Sequence, residues 1–194
     1  ALGKGMLVSV RSSAPVSMPG MMDTVLNVRD LPGVLSCVKR VFDSWDNPRA
    51  VEYRRLHDIP PDLGAAVIIQ VMVMGNADER SGTGVVFTRH PSTGERGLFG
   101  EYLFCAQGEE LVSGRRTPES IVTLRDQMPA LYARLEEIGK TLENHYRDMQ
   151  DIEFTIESGG LYILQTRTGK RSGQAAVRIA TDMVKQGLIS PKDA

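Results

Sequence analysis

The chain has 194 residues, of which 41% are hydrophobic and 24% charged, with a formal net charge of −1. That is ordinary for a globular protein with one sizeable domain, or two small lobes around a cleft. The near-zero charge gives no electrostatic case for nucleic acid or an anionic membrane as partner, and no apolar run approaches the roughly 20 residues of a membrane span. The opening Ala1-Leu2-Gly3-Lys4-Gly5-Met6 has no extended apolar core, so a secretory signal is not expected. Cys37 and Cys105 are far apart and read as free, buried thiols of a reducing compartment. His57, His90 and His145 form no metal-binding pattern and are expected to be structural.

Met6 to Val10 reads as a buried strand with Arg11 where it ends. The next stretch, Ala14 to Thr24, carries two prolines, a glycine and three methionines, so it reads as a loop. Its thioethers either adapt to a ligand under a mobile loop or anchor the loop to the core. A turn is expected between Asn27 and Gly33. Leu35, Val38, Val41 and Phe42 then form a helical stripe leading to Trp45. Asn47 followed by Pro48 predicts a capped helix through Leu56.

Ala65 to Met74 is almost continuously apolar, which predicts a strand buried on both faces, with Gln70 as the exception. Strands over Val85 to Thr88 and Leu98 to Phe104, with glycine-rich corners, would continue it as an antiparallel meander. Thr117-Pro118 predicts a helix start. Leu131, Leu135, Ile138, Leu142 and Tyr146 form one apolar face of a helix entered near Met128-Pro129. Ala176, Ile179, Ala180 and Met183 mark a closing helix that stops near Gly187.

Between these helices lie Asp151 to Ile156 and Leu161 to Arg167, two β-branched and aromatic arms around Glu157-Ser158-Gly159-Gly160. They predict a hairpin. A three-residue loop over Ser158 to Gly160 would pair Glu157 with Leu161, Glu153 with Gln165 and Asp151 with Arg167. Side chains alternate faces along a strand, so these four polar residues would share one face. That face is either simply solvated or a metal–phosphate site: two carboxylates and an amide oxygen suit Mg²⁺, and arginine suits phosphate. Ser81-Gly82-Thr83-Gly84 could bring backbone N–H groups to a phosphate, although ordinary turns use the same residues. Walker, Rossmann and Gly-x-Ser-x-Gly patterns are absent.

Several stretches resemble the nucleotide-binding region of the pyruvate, phosphate dikinase family. They are Val8 to Ser13, Met18 to Thr24, Phe42 to Ala50, Ser81 to Val85 with Phe87 to Arg89, Pro91 to Glu95, and Asp148 to Asp151 with Glu153 to Thr155. The resemblance implies an α+β, ATP-grasp fold: a mixed or antiparallel sheet with packed helices, and two lobes around a nucleotide cleft. Residues 1–64 would be a partial N-terminal lobe and 65–194 the C-terminal lobe. The family's helical insert is missing near residues 29–33, so a chain break or junction is expected there.

The resemblance also implies chemistry. The domain would bind ATP and Mg²⁺ and phosphorylate a carrier histidine, as part of interconverting ATP, phosphate and pyruvate with AMP, diphosphate and phosphoenolpyruvate. Asp151, Glu153 and Gln165 match metal positions. Arg11, Gln165 and Arg167 match phosphate-contacting positions, with Arg11 and Arg167 in catalytic roles. Gln70, Met72 and Val73 fall where adenine is held, and Glu101 near the ribose. Implied partners are ATP, phosphate and a phosphohistidine domain of the same full-length chain, itself a homo-oligomer in the cytoplasm. The phosphohistidine and pyruvate-binding domains have no counterpart in this sequence. The alternatives are a phosphotransferase like phosphoenolpyruvate synthase, which resembles the methionine-rich loop much less, and a non-catalytic nucleotide-binding module.

Overall fold

The computed structural model describes residues 6–114 and 116–194. Gly3-Lys4-Gly5, which resembles a Gly-Lys-Gly phosphate loop too briefly for the role of Lys4 to be carried over, lies outside them. The chain divides into two compact units, Ala1–Met72 and Val73–Ala194. All strand pairings are antiparallel, and with six α-helices among the described residues they bear out the α+β class.

The first unit contains β1 (Val8–Ser13), β2 (Thr24–Val28), α1 (Leu31–Asp43), α2 (Pro48–Leu56) and β3 (Ala66–Val71), with sheet order β2-β1-β3. Its core joins Val8, Val10 and Val28 to Val34 and Val41 of α1. Four expectations change here. Arg11 lies inside β1 rather than at its end. The 29–33 segment enters a helix rather than forming only a turn: Asp30 caps α1 by accepting from the Gly33 N–H at 2.7 Å, and Val34 is buried. The buried stripe of α1 is Val34 and Val41, while Leu35 and Phe42 face outward. Finally, the apolar run from Ala65 is not buried on both faces. β3 is an edge strand that pairs with β1 and not with the later meander; Ile68, Ile69 and Val71 are about half exposed, and only Val67 packs against the core. β3 thus belongs to the first unit.

Asn47 caps α2 through the Ala50 N–H, as its pairing with Pro48 predicts. The methionine-rich loop is anchored. Met22 is buried, the Met21 carbonyl accepts from Asn47 and Arg49, and Asp23 pairs with Arg40 and Arg49.

The second unit contains β4 (Gly82–Arg89), β5 (Arg96–Phe104), α3 (Gly108–Ser113), β6 (Glu119–Ser120), α4 (Ile121–Gln127), α5 (Pro129–Tyr146), β7 (Gln150–Glu157), β8 (Gly160–Thr168) and α6 (Gly173–Lys185). The sheet order is β6-β5-β4-β7-β8. One face carries the core: Val86, Tyr102, Ile152, Phe154 and Ile156 pack against α4 and α5 through Ile121, Leu124, Leu131 and Leu135. Near the opposite face, α6 packs Ala175, Ile179 and Met183 around Met149 and Phe87.

The helix start expected at Thr117 is displaced: a short strand intervenes, and Ser120 is the cap. Cys105 is exposed rather than buried, and Cys37 partly so; both are free. His90 has a structural role, its Nδ1 accepting from the Ser92 and Thr93 N–H groups.

Gly82 and Gly84 sit inside β4, paired on both sides, so the Gly-x-Gly corner is not a phosphate loop. A Cβ on Gly84 would lie 2.4 Å from Phe154 Cζ and 2.9 Å from the Glu101 carbonyl oxygen. Glycine is required there because the Phe154 ring lies on the strand. Gly84→Ala should therefore overpack the core and cost about 1–3 kcal/mol, read as a lower urea midpoint. Combining it with Phe154→Leu should cost less than the two single changes added together; strict additivity would contradict the contact.

Candidate functional site

The site is built on the β7–β8 hairpin. Along β7, Ile152, Phe154 and Ile156 face the core and are essentially inaccessible, which turns Asp151 and Glu153 to the other face. The turn is shorter than spacing predicts. Glu157 pairs with Gly160, leaving Ser158 (φ 49°) and Gly159 (φ 83°) as a two-residue turn. Positive φ at both central positions is the type I′ pattern, whose twist suits a hairpin. Phe154 pairs with Ile163, but Glu153 pairs with Gln165, so Leu164 is a bulge. Below the bulge, Glu153 opposes Gln165 and Asp151 opposes Arg167, the arrangement that the sequence predicts from a longer loop.

The turn is clamped. Ser81 Oγ accepts from the Ser158 N–H at 2.9 Å and donates to Asp78 Oδ1 at 2.7 Å, and the Gly159 N–H donates to the Arg80 carbonyl. At the open end, Arg171 grips Asp148 with two nitrogens, the Nη2–Oδ2 contact being 2.7 Å. Gln150 is buried. Its amide oxygen accepts from Thr166 Oγ1, and its Nε2 donates to the carbonyls of Asp148 and Met149. The sequence reading missed these supports. Asp78-x-x-Ser81, the spacing of a side-chain-capped turn, is the one signal that could have found part of them.

Arg167 Nε donates to Asp151 Oδ2 at 2.7 Å, and its Nη2 lies 3.8 Å from Glu153 Oε1. Asp151 is 6% exposed, and its other oxygen, Oδ1, is buried with no hydrogen-bond partner. A buried carboxylate oxygen left unpaired is costly. The local chemistry therefore fits a hard cation. No group of three or more His, Cys, Asp or Glu residues suited to a metal occurs among the described residues. That donor set fits Mg²⁺, which needs one or two carboxylates and fills its remaining positions with water and substrate phosphate.

The other predicted residues fall in two places. In the first unit, Arg11 Nη1 donates to Gln70 Oε1 at 3.3 Å across β1 and β3, and the Met72 N–H donates to the Leu7 carbonyl. In the second unit, Val73 begins the segment whose Met74 N–H donates to Glu157 Oε1. Glu101 shares a face with Glu153, but Val85 lies between them in register. Two strand spacings, about 10 Å, separate their backbones, so Glu101 is outside the carboxylate–arginine cluster.

Residues 1–134 and 130–188 match the family described as pyruvate phosphate dikinase, AMP/ATP-binding domain. The chain belongs to that family. Relatives include pyruvate, phosphate dikinase of Clostridium symbiosum, 56% identical over 161 residues, which is 83% of this chain and 18% of the relative. The chloroplastic pyruvate, phosphate dikinase of Flaveria pringlei is 56% identical over 157 residues, 81% of this chain and 16% of the relative. The pyruvate, phosphate dikinase of Rhizobium meliloti (strain 1021) is 53% identical over 166 residues, 79% and 18% respectively. The chain thus spans less than a fifth of the length of these curated relatives. The two antiparallel sheets and packed helices agree with an ATP-grasp-like domain of the dikinase family.

Hydrogen bonds from Ser158 and Ser81 hold the Asp78 carboxyl below its ordinary value. A carboxylate with a lowered folded pKa adds stability above its unfolded value of about 3.9, and that stability is lost as pH falls through the folded value. Asp78→Asn should therefore flatten the acid side of the stability curve. In the unaltered protein, hydrogen exchange at the Gly159 amide should quicken, relative to core amides, as pH drops through this range. An unchanged acid limb in Asp78→Asn would show that the clamp does not depend on this charge.

Proposed function

We propose that this chain is the ATP- and Mg²⁺-binding part of a dikinase. The whole enzyme phosphorylates a carrier histidine and interconverts ATP, phosphate and pyruvate with AMP, diphosphate and phosphoenolpyruvate. The observation that carries this reading is the buried, half-satisfied Asp151 carboxylate beside Arg167 and Glu153, in a chain of the dikinase AMP/ATP-binding family.

Asp151, Glu153 and Gln165 would hold Mg²⁺, which when bound neutralises phosphate charge. Arg167 is oriented by Asp151, so its remaining nitrogens can receive phosphate oxygens as a rigid fork. Arg11, steadied by Gln70, is a second phosphate donor. Gln70, Met72 and Val73 would contact adenine, and Glu101 the ribose side. Arg11 and Arg167 carry the catalytic role, because phosphoryl transfer depends on positioned charge more than on covalent help. The phosphate acceptor and the phosphohistidine domain are partners in a longer, oligomeric chain. The compartment is the cytoplasm or, as in the chloroplastic relatives, an organelle. No helix among the described residues is long and apolar enough to cross a membrane.

Calorimetric titration with ATP tests the reading. Binding should require Mg²⁺ and weaken on chelation. In the full-length enzyme, Glu153→Gln and Arg167→Ala should each slow phosphorylation of the carrier histidine by about 10²–10³-fold, leaving the pyruvate half-reaction intact. Histidine phosphorylation at the normal rate in both variants would refute the site.

A further inference from the structure

A second constellation lies in the same unit, where the β4–β5 pair meets α5 and the end of α6. A cavity of about 290 Å³ opens there beside α5, lined in part by Arg89, Arg96, Lys140, Glu136 and Glu143. The β4–β5 register sets Arg89 directly opposite Arg96. Like charges directly opposed across a strand pair repel.

Arg89 is the buried member, 1% exposed. Its Nε and Nη2 each donate to Glu143 at 2.9 Å, while Nη1 has no hydrogen-bond partner and lies 4.0 Å from Asp182 Oδ2. Arg96 and Lys140 are exposed, and among the described residues neither forms an ion pair. Arg89 is thus balanced by Glu143 and Asp182, and Glu143 is also engaged by Thr88, so of the charged lining Arg96 and Lys140 stand against Glu136 alone. Gly97, in the lining, leaves open space where a side chain would stand, while Gly139 sits against Thr88 and Leu98.

We infer that this cavity binds a small phosphate-bearing anion, with Arg96 and Lys140 as its direct donors and the buried Arg89–Glu143 pair fixing its floor. The volume of about 290 Å³ is at the small end of ligand pockets, which run from about 300 to 1,000 Å³, and suits inorganic phosphate or a short phosphate ester. The inference is independent of the nucleotide site, since none of its residues belongs to the Asp151 cluster.

The test is a ¹⁵N NMR titration of the protein with inorganic phosphate and, separately, glycerol 3-phosphate, following the Gly97 and Gly139 amides. Saturable shifts are expected. They should weaken by about tenfold or more in Arg96→Ser/Lys140→Ser, the loss of charge-assisted contacts. They should persist in Arg167→Ala, which leaves this cavity untouched. Tighter binding of the ester identifies a phosphorylated metabolite as the natural ligand; tighter binding of phosphate identifies the free ion. Absent shifts, shifts reproduced by sodium chloride at matched ionic strength, or equal affinity in the double variant would overturn the inference.

Discussion

Strand β7 has to satisfy two solvents at once. Every second side chain, Ile152, Phe154 and Ile156, is removed from water against α4 and α5. At about 25 cal/mol per Å² of buried apolar surface, these three side chains fasten the strand in a single facing, because a slip of one residue would drive its carboxylates into the core. Asp151 and Glu153 therefore have no freedom to turn away from each other. The cost of burying Asp151 is offset on one oxygen by Arg167 and left open on the other. Binding capacity in this hairpin is the polar remainder of a packing problem that the apolar face has already solved.

Around that hairpin, the supports are polar and buried rather than apolar. Thr88 donates to Glu143 and accepts from the Gln150 N–H; Gln150 in turn accepts from Thr166. Arg89 grips the same Glu143. This chain of bonds runs from α5 through β4 and β7 to β8. Removing one member of such a network strands its partners without hydrogen bonds, which costs about 1–3 kcal/mol for each buried group. Networks of this kind hold backbone position more sharply than interchangeable methyl groups, and position is what a phosphate site needs.

Much of the second unit was legible in the sequence because its signals are local. Periodic leucines mark α5, Asn47-Pro48 marks α2 in the first unit, and the alternation in β7 marks the polar face. The apolar run from Ala65 misled because composition reports apolarity and not the number of neighbours. Placed at a sheet edge by its pairing with β1, it leaves Ile68, Ile69 and Val71 in contact with solvent. The Gly82 and Gly84 pattern misled for a similar reason: glycine tolerates both an open phosphate loop and an aromatic ring pressed on a strand, and only the long-range arrival of Phe154 separates them. The clamp at Ser81 and the Asp148–Arg171 pair are also contacts between distant parts of the chain, beyond the reach of spacing alone.

The Leu164 bulge means that two different chain lengths arrive at one chemical geometry. A hairpin with a three-residue loop and unbroken pairing, and a hairpin with a two-residue turn and one bulged residue, both set Glu153 against Gln165 and Asp151 against Arg167. The bulge works as slack in the ladder: it takes up a residue between the turn and the polar end, so the turn can answer to its clamp at Asp78 and Ser81 without dragging the ligands along. Insertions and deletions in this hairpin should accordingly be tolerated in compensating pairs, one at the tip and one at the bulge.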